Sequence, residues 1–318
     1  MALTSSESKS ARGGGPRARA SPDCNRSEAV QFLGEDPIVR AVKELVAQVA
    51  GTDATVLIYG ETGTGKELIA RLLHQQSARR HTAFIALNCG AIADSLIESE
   101  MFGHSKGAFT GAVSARVGRF EAAHRGTIFL DEISEMSRSL QVALLRILQS
   151  GEYTPVGSVE SRFCDVRVIG ATNCELEPLI EQTKFRHDLY YRLNIIRIDL
   201  PPLRERQGDI PVLVNHFLNV YADAYGKPGL EIATEAREFL LGLDYPGNVR
   251  ELENLIRRAV VLCSDRIITL EHLRPEPRAV HRTAATTERS AIMRPGSMPY
   301  SSLNGLISSL PSASAEAS

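Results

Sequence analysis

The chain has 318 residues, of which 43% are hydrophobic, and its 36 basic and 38 acidic residues give a formal net charge of -2. This length and composition can bury the core of one large domain and a smaller one. The near-neutral charge excludes a general attraction to polyanions, so any contact with nucleic acid must be local. No apolar run approaches the roughly 20 residues that span a bilayer, so no membrane association is expected. The five cysteines are scattered without a CxxC pair, which favours reduced thiols and a cytoplasmic protein.

The N-terminal residues 1–29 are rich in Ser, Gly, Pro and Arg. We predict a disordered tail there, because these residues lack the apolar area that folding requires. Asp36 is suited to cap the first helix, with Pro37 at its first position and Gly51 at its end. Apolar residues recur along this segment at helical spacing, namely Ile38, Val42, Leu45 and Val49.

A tight loop between a predicted strand at residues 55–59 and a predicted helix at residues 68–76 has the pattern of a phosphate site. Its glycines allow backbone N–H groups to turn toward phosphate oxygens, and the helix N-terminus adds a partial positive charge. Lys66 supplies a full positive charge for the β- and γ-phosphates. The loop consists of Gly60, Glu61, Thr62, Gly63, Thr64, Gly65, Lys66 and Glu67.

Carboxylates at two places are candidates to face a magnesium ion. Glu67 occupies the position at which a Ser or Thr hydroxyl usually binds the metal. A carboxylate there could bind the ion only in a different way from a hydroxyl, for example through a water molecule. Asp131 and Glu132 follow a predicted buried strand at residues 126–130. Adjacent acids at the carboxyl end of a strand can divide the work, with Asp131 facing the magnesium and Glu132 polarising a water for attack on the γ-phosphate. The alternative, two solvated acids at a turn, explains the charge but not the apolar run.

Three other strands are predicted from short apolar runs. A buried strand at residues 83–87 is followed by Asn88, a strand at residues 166–172 is followed by Asn173, and the last strand covers residues 195–199. In an open parallel sheet such strand ends converge on the ligand crevice. Asn173 could position the attacking water there, or it could be an ordinary turn residue.

A glycine-rich segment at residues 103–112 interrupts the helical pattern before the 126–130 strand. We expect a mobile loop that carries Phe109 into solvent at its tip, where an exposed aromatic ring is a candidate for partner contact. The alternative is a turn with Phe109 folded back into the core. The second half of the segment reads GAFTGA and consists of Gly107, Ala108, Phe109, Thr110, Gly111 and Ala112.

Arginines in the last part of the chain are further candidates for contact with a nucleotide. Arg186 and Arg192 precede the last strand near the edge of the sheet, where they would be solvated in a monomer but could reach a neighbour's nucleotide in a ring. Residues 209–263 show a helical pattern only, which implies a small α-domain. Asn248 is the N-cap candidate of its last helix. Arg250 lies in the first turn of that helix, where the helix dipole disfavours a cation, so we expect an anionic partner such as a bound phosphate.

Together, these motifs resemble the AAA+ ATPase module of bacterial enhancer-binding proteins, which activate RNA polymerase carrying sigma-54. The resemblance covers about residues 31–274, and GAFTGA after a P-loop is close to diagnostic because other AAA+ groups lack that insertion. It implies an α/β fold, in which a P-loop AAA+ doubly wound parallel five-stranded sheet flanked by helices (residues 30–203) precedes a small α-helical lid domain (residues 204–274). Residues 275–318 lack periodicity and are predicted to be a disordered tail.

The resemblance also implies ATP and Mg²⁺ as cofactors and a homo-oligomeric ring, a hexamer in this family. Its implied partner is the sigma-54 factor in its RNA polymerase holoenzyme, which the ring would remodel from closed to open complexes by ATP hydrolysis. Phe109 and Thr110 would form the tip of the loop that touches sigma-54, raised when ATP is bound or being hydrolysed and lowered afterwards. An arginine finger acting in trans is worth about 10³–10⁵ in rate, so a monomer should be almost inactive.

By the same resemblance, roles fall on individual residues at the matching positions. Lys66 would be the Walker A lysine, and Asp131 and Glu132 would be the Walker B pair. Asn88 would hold the catalytic glutamate back until sigma-54 is engaged. Asn173 would be the first sensor and Arg250 the second, and Arg186 and Arg192 would be fingers that act on the neighbouring subunit's ATP.

The chain departs from the family pattern on both sides of this module. There is no room upstream for a receiver domain, and no helix-turn-helix pattern follows Leu273. Direct sequence-specific DNA binding is therefore not expected, so the protein could act from solution, pair with a DNA-binding relative or be a truncated product. Two other functions stay open: an AAA+ machine that remodels another protein or DNA, with Phe109 lining a pore, and a subunit without a DNA anchor that antagonises or assists active rings.

Overall fold

The computed structural model describes residues 31–91 and 94–274, so both predicted tails, at residues 1–29 and 275–318, lie outside the described residues. The strands are β1 (Val56–Tyr59), β2 (Phe84–Asn88), β3 (Gly103–His104), β4 (Arg116–Val117), β5 (Thr127–Asp131), β6 (Glu152–Tyr153), β7 (Arg162–Phe163), β8 (Arg167–Thr172), β9 (Ile196–Asp199), β10 (Glu231–Ile232) and β11 (Ile267–Ile268).

Helices alternate with the long strands and then fill the last part of the described chain. They are α1 (Pro37–Ala50), α2 (Lys66–Gln75), α3 (Asp94–Phe102), α4 (Arg119–Ala122), α5 (Arg138–Ser150), α6 (Glu177–Glu181), α7 (His187–Leu193), α8 (Ile210–Ala224), α9 (Thr234–Leu241), α10 (Asn248–Leu262) and α11 (Leu270–Leu273). Short 3-10 turns occur at Ile133–Glu135, Leu203–Glu205 and Gln207–Asp209.

The main sheet has five parallel strands in the order β2-β5-β8-β1-β9, which confirms the predicted doubly wound fold. Its register aligns the carboxyl ends of neighbouring strands, since Asn88 lies opposite Asp131 and Tyr59 lies opposite Thr172. The phosphate loop after β1 and the acidic pair at the end of β5 therefore share one edge of the sheet. The prediction that β2 is buried is wrong for most of its length, because β2 is an edge strand and four of its five side chains keep some solvent exposure.

Successive residues of the central strands face two different apolar cores, as expected for a sheet that is covered on both sides. Leu57 and Ile128 pack beneath α3, α5 and α7, whereas Ile58 and Phe129 pack beneath α1 and α2. A third core fills the lid, residues 204–274, around side chains such as Ile256. The expectation of a purely helical pattern from residue 209 to 263 needs one correction, because β10 lies there and pairs with β11 in a small parallel sheet.

Two short antiparallel hairpins project from the large domain. One is formed by β3 and β4, which bracket the GAFTGA segment, and the other by β6 and β7. They contact each other, since the Ser105 N–H donates to the Val156 carbonyl at 3.0 Å and the Val156 N–H donates to the Gly103 carbonyl at 2.9 Å. Within residues 31–91 and 94–274, no helix is both long enough and apolar enough to cross a membrane.

Helix α1 begins and ends as predicted, and an arginine fixes its end to the sheet. The Asp36 carboxylate accepts the Ile38 N–H at 3.0 Å, and Gly51 follows the last helical residue. Arg167, at the start of β8, is only 1% exposed. Its guanidinium donates to the carbonyls of Ala50 at 2.9 Å and Val49 at 3.1 Å, so it satisfies acceptors that the helix terminus leaves free.

We predict that Arg167→Met lowers the free energy of unfolding by about 1–3 kcal/mol, because it leaves the buried Ala50 carbonyl without its donor, whereas the Val49 carbonyl keeps its bonds from Thr52. Urea unfolding followed by circular dichroism measures this change. Arg146→Met is the matched control, because Arg146 is an exposed arginine of α5. Equal stability of the two variants would show that the buried guanidinium contributes nothing net.

Candidate functional site

A cavity of about 460 Å³ opens at the carboxyl edge of the sheet, between the large domain and the lid. This volume lies in the range of small-molecule sites. The phosphate loop and the ends of β2 and β5 form its floor, and α8 and α10 of the lid form its opposite wall. The predicted site residues that line it are Thr62, Gly63, Thr64, Gly65, Lys66, Glu67, Asn88, Asp131, Glu132 and Arg250.

Lys66 provides the central positive charge of the cavity. Its side chain is buried, and its ammonium group donates to the carbonyls of Gly60 at 2.8 Å and Glu61 at 3.2 Å. Burial lowers the pKa of the Lys66 amine, while the carboxylates of Asp131 and Glu132 oppose this shift. A desolvated amine in an anion-binding loop gains most from a ligand that is itself negatively charged.

The acidic pair at the end of β5 faces the same cavity. Burial raises the pKa of Asp131, and the nearby charge of Lys66 opposes that shift. The backbone of Glu132 is left-handed, with φ at 55°, a conformation that is uncommon for a residue other than glycine and that clusters at functional sites. Gly90 leaves room for the glutamate, because a Cβ there would lie 2.5 Å from Glu132 Oε2.

The residues suited to magnesium are carboxylates on the cavity wall. Mg²⁺ usually keeps several waters and takes one or two carboxylates together with substrate phosphates, and Asp131 fits this demand. The Glu67 carboxylate instead pairs with Arg71 at 2.7 Å on the surface of α2. The described residues contain no group of three or more His, Cys, Asp or Glu side chains that could hold a metal ion by themselves.

Asn88 lies beside the acidic pair but directs its oxygen elsewhere. Asn88 Oδ1 accepts the N–H groups of Gly90 at 2.8 Å and Ala91 at 2.9 Å. Among the described residues it makes no hydrogen bond with Glu132. It therefore shapes the turn after β2, and this turn approaches the glutamate at Gly90.

Arg250 reaches the cavity from the lid. It is exposed in the first turn of α10 and makes no salt bridge with any described residue. The first turn of a helix disfavours a cation, so an anion in the cavity would relieve this conflict. The cavity thus has cationic side chains on both of its walls.

The remaining predicted site residues lie outside this cavity. Asn173 is exposed just after β8. Arg186 makes a two-pronged ion pair with Asp188, with N···O distances of 2.9 and 2.6 Å. Arg192 is exposed at the end of α7, and no described residue forms a salt bridge with it. None of these three side chains lines the cavity of its own chain. Asn173 nevertheless follows a residue that contacts the phosphate loop, because the Gly60 N–H donates to the Thr172 carbonyl at 3.2 Å.

The GAFTGA segment forms an external turn rather than part of a core. Phe109 is 39% exposed and its ring packs edge-on against His104, with ring centroids 5.0 Å apart. The turn closes where the Gly107 N–H donates to the Ala112 carbonyl at 2.9 Å. Gly107 and Gly111 adopt left-handed backbones with open space around them. Of the two alternatives for Phe109, burial in the core is therefore wrong for this structure.

The prediction that Asn248 is the N-cap of α10 is wrong. Gly247 takes that position, while the fully buried Asn248 side chain bonds to the phosphate loop and to the chain that enters the lid. Sequence reasoning also missed Arg206, a buried cation in the cavity wall that donates to the Thr64 carbonyl at 3.2 Å and lies over the Phe32 ring. No periodicity signals either contact, because each joins residues more than 140 positions apart.

Two family models match the chain and together cover most of the described residues. Residues 32–199 match the sigma-54 interaction domain, and residues 204–290 match an AAA+ ATPase lid domain. Over 257 residues the chain is 48% identical to the phenol regulator MopR of Acinetobacter guillouiae, covering 80% of this chain and 46% of that protein. Over 249 residues it is 50% identical to the DNA-binding transcriptional regulator NtrC of Azospirillum brasilense, covering 78% and 52%.

A further relative and a solved structure extend this similarity. The sigma-54-dependent transcriptional regulator SfnR of Pseudomonas fluorescens is 50% identical over 240 residues, covering 76% of this chain and 65% of that protein. The chain thus spans between about half and two thirds of the length of these relatives. NtrX from Brucella abortus in complex with ATP superposes with a TM-score of 0.73 at 32% identity, covering 80% of this chain and 58% of that one.

The expectation that the Glu61 side chain faces the nucleotide is wrong for this structure, because its carboxylate contacts Arg204 and Asn248 on the lid side instead of lining the cavity. Ion pairing with Arg204 and a hydrogen bond from Asn248 lower the pKa of the Glu61 carboxyl. A depressed pKa in the folded state stabilises the protein above the carboxyl's ordinary pKa, and this stabilisation is lost as the pH falls through the folded-state value. We expect Glu61→Gln to lower the melting temperature by about 1–3 °C at pH 7, as for a largely exposed pair.

The difference in melting temperature between the wild type and Glu61→Gln should shrink as the pH falls below about 4.5, where the carboxyl of the unfolded chain becomes protonated. Thermal unfolding at pH 7, 5.5 and 4 measures it. Glu160→Gln is the control, because Glu160 is exposed and forms no salt bridge with any described residue. A difference that grows toward acid pH would contradict the direction of the shift.

Proposed function

The chain belongs to the family of sigma-54-dependent transcriptional regulators, and we propose that it hydrolyses ATP in the cytoplasm to remodel sigma-54 RNA polymerase from closed to open promoter complexes. The observation that carries this proposal is the convergence of Lys66, Asp131, Glu132 and Arg250 on one cavity. A buried cation in a glycine loop, an acidic pair and a cation on the lid match the needs of a nucleoside triphosphate.

The lining of the cavity has charged and apolar parts that suit the phosphates and the base of ATP. Lys66 and the loop N–H groups suit the phosphates, whereas Phe32, Phe217 and Val249 offer an apolar wall for the base. The similarity to NtrX, which was solved in complexes with ATP and with ADP, supports this choice of ligand. Arg250, without a salt bridge to any described residue, is the residue through which the lid would follow the state of the phosphates.

The two acidic residues, Asp131 and Glu132, have different roles in the proposed chemistry. Bound Mg²⁺ would neutralise charge on the phosphate oxygens, and Asp131 is the residue proposed to hold it. Glu132 would take a proton from the attacking water, and its left-handed backbone fixes the direction of the carboxylate. Asn88, on the turn that approaches Glu132 at Gly90, is proposed to restrain this glutamate, and Asn173 is proposed to sense the γ-phosphate from the neighbouring strand end.

The two arginines of the α7 region support a ring. Arg186 and Arg192 lie outside the cavity of their own chain, so they could stabilise transition-state charge only in a neighbouring subunit. Arg186 is held meanwhile by Asp188 on its own surface. We therefore include a homo-oligomeric ring, a hexamer as in the family it resembles, in the proposed function.

The GAFTGA turn is the proposed contact with sigma-54. Phe109 is partly exposed beyond β3, and the β6–β7 hairpin supports the turn where Gly157 packs against Ala108. A change at the nucleotide could reach the turn through α3, which ends directly before β3. An exposed aromatic ring on a turn that is supported by a hairpin can contact a partner without any change in the core.

We expect Glu132→Gln to bind ATP with nearly wild-type affinity and to hydrolyse it at least about 100-fold more slowly, because loss of a general base typically costs 10²–10⁴ in rate. Binding of a fluorescent ATP analogue and release of phosphate measure the two effects separately. Glu181→Gln is the control, since Glu181 is exposed on α6, away from the cavity. A Glu132→Gln enzyme that keeps more than a tenth of the wild-type rate would refute the assignment of the base.

Size-exclusion chromatography with purified sigma-54, with and without ADP and aluminium fluoride, tests the proposed partner. We expect a large complex only with the analogue, and we expect Phe109→Ala to abolish this complex while leaving ATP hydrolysis within about twofold, because the side chain lies far outside the phosphate site. Val113→Ala is the matched control, because Val113 is 81% exposed just after the motif. Rings that form without capturing sigma-54 would point to another AAA+ remodeller.

A further inference from the structure

Asn248 is a buried amide at the place where the lid meets the phosphate loop. We propose that Asn248 is a positioning residue for this loop: it holds Glu61 and Thr62 against the lid, so that the N–H groups of the loop stay aimed into the cavity. The inference rests on the proposed ATP hydrolysis and adds to it a residue outside the cavity lining. The loop–lid junction is defined here as residues 61–63 of the loop and residues 247–249 of the lid.

The hydrogen bonds of Asn248 account for both donors of its amide. Its Nδ2 group donates to Glu61 Oε2 and to the Thr62 carbonyl, both at 3.1 Å. Its Oδ1 atom accepts the Leu203 N–H at 2.8 Å. The residue is 0% exposed, so the protein supplies all of the partners of its amide. Removal of any one partner would leave a buried polar group of this amide without a hydrogen bond, which is costly.

The backbone of Asn248 is set for this contact. Its φ is 53°, in the left-handed region that asparagine and glycine adopt far more readily than other residues. The next residue also contributes, because the Val249 N–H donates to the Gly63 carbonyl at 3.0 Å. The chains approach so closely that a Cβ at Gly63 would collide with the Gly247 carbonyl oxygen. The loop–lid junction is therefore fixed from both sides.

The same contact ties the entry of the lid to the loop. Arg204 follows the residue whose N–H Asn248 accepts, and its guanidinium pairs with Glu61 at 2.6 and 2.9 Å. Glu61 thus lies between Arg204 and Asn248. Among the described residues, the Glu61 carboxylate accepts hydrogen bonds from Arg204 and Asn248 alone, and the Thr62 carbonyl accepts from Asn248 alone.

On the cavity side of the loop, the donor is Lys66. The Lys66 ammonium group donates to the carbonyls of Gly60 and Glu61, and a bound phosphate competes for the same N–H groups. When Lys66 turns to the phosphate, the bond from Asn248 to Thr62 continues to hold the loop from outside. Arg250 is two residues further along α10, so the same junction sets its distance from the phosphates.

The test compares two substitutions at Asn248 with a swap of donor and acceptor. Asn248→Gly keeps the left-handed backbone and adds no charge while it removes all three hydrogen bonds. We expect it to raise the Kd and KM for ATP about tenfold with kcat within about threefold, since a mispositioned loop loses ground-state and transition-state binding alike. Asn248→Asp, which sets a carboxylate against Glu61, should weaken ATP binding more.

The double variant Asn248→Asp with Glu61→Gln restores one donor–acceptor pair and the original local charge. We expect it to recover part of the ATP affinity that Asn248→Asp loses, as a coupled pair should in a double-mutant cycle, but not all of it, because the Thr62 carbonyl still lacks the donor that Asn248 provides. Fluorescent ATP binding and phosphate release are measured at 20 °C in the full chain, and thermal unfolding is recorded for every variant. Ile256→Val is the control for lid stability, because it trims the lid core without touching the junction.

Asn219→Asp is the control for added charge, because Asn219 is exposed on α8. The proposal is overturned if Asn248→Gly is folded at 20 °C and binds ATP like the wild type, or if the double variant binds no better than Asn248→Asp. If Asn248→Gly does not fold, the comparison of Asn248→Asp with the double variant decides. A wild type that neither binds nor hydrolyses ATP would refute the proposed function itself, and with it this role.

Discussion

The burial of a lysine ammonium group at the carboxyl edge of a parallel sheet is the constraint on which the site depends. Lys66 loses solvent there and regains only two backbone carbonyls and the field of Asp131 and Glu132. Such an arrangement is favourable when a further anion completes it. The strand register, which sets Asn88 opposite Asp131, brings the acids to the same edge and so decides where that anion must lie.

The second wall of the site comes from the lid, and it is joined to the first by short polar contacts. Asn248, Arg204 and Arg206 reach from the lid segment to residues of the phosphate loop. A cavity built in this way changes shape if either wall moves. A ligand that binds in the cavity would then shift the position of the lid, and the position of the lid would change the affinity for that ligand, because coupling between two equilibria is reciprocal.

Other residues with a proposed role, in the α7 region and the GAFTGA turn, lie outside the cavity and could act only on a partner. Of the two arginines of the α7 region, Arg192 is exposed and Arg186 is half-buried and paired with Asp188, and the GAFTGA turn carries its aromatic ring at the surface. A single chain therefore forms the cavity around Lys66, but the two arginines proposed as fingers do not line it. This division suits a ring in which neighbours complete each other's sites, as proposed from the family resemblance.

The sequence by itself determined the five strands of the main sheet, the phosphate loop, the acidic pair after β5 and the helix from Asp36 to Gly51, because these follow from local periodicity and from motifs only a few residues long. It could not determine that β2 is an edge strand, that Glu67 turns to Arg71, or that Asn248 leaves its helix end to hold Thr62. Those outcomes depend on which distant segments meet. Only the tertiary structure decides this, because a hydrogen bond across 186 positions, from Asn248 to Thr62, follows the path of the chain and leaves no periodic trace in the sequence.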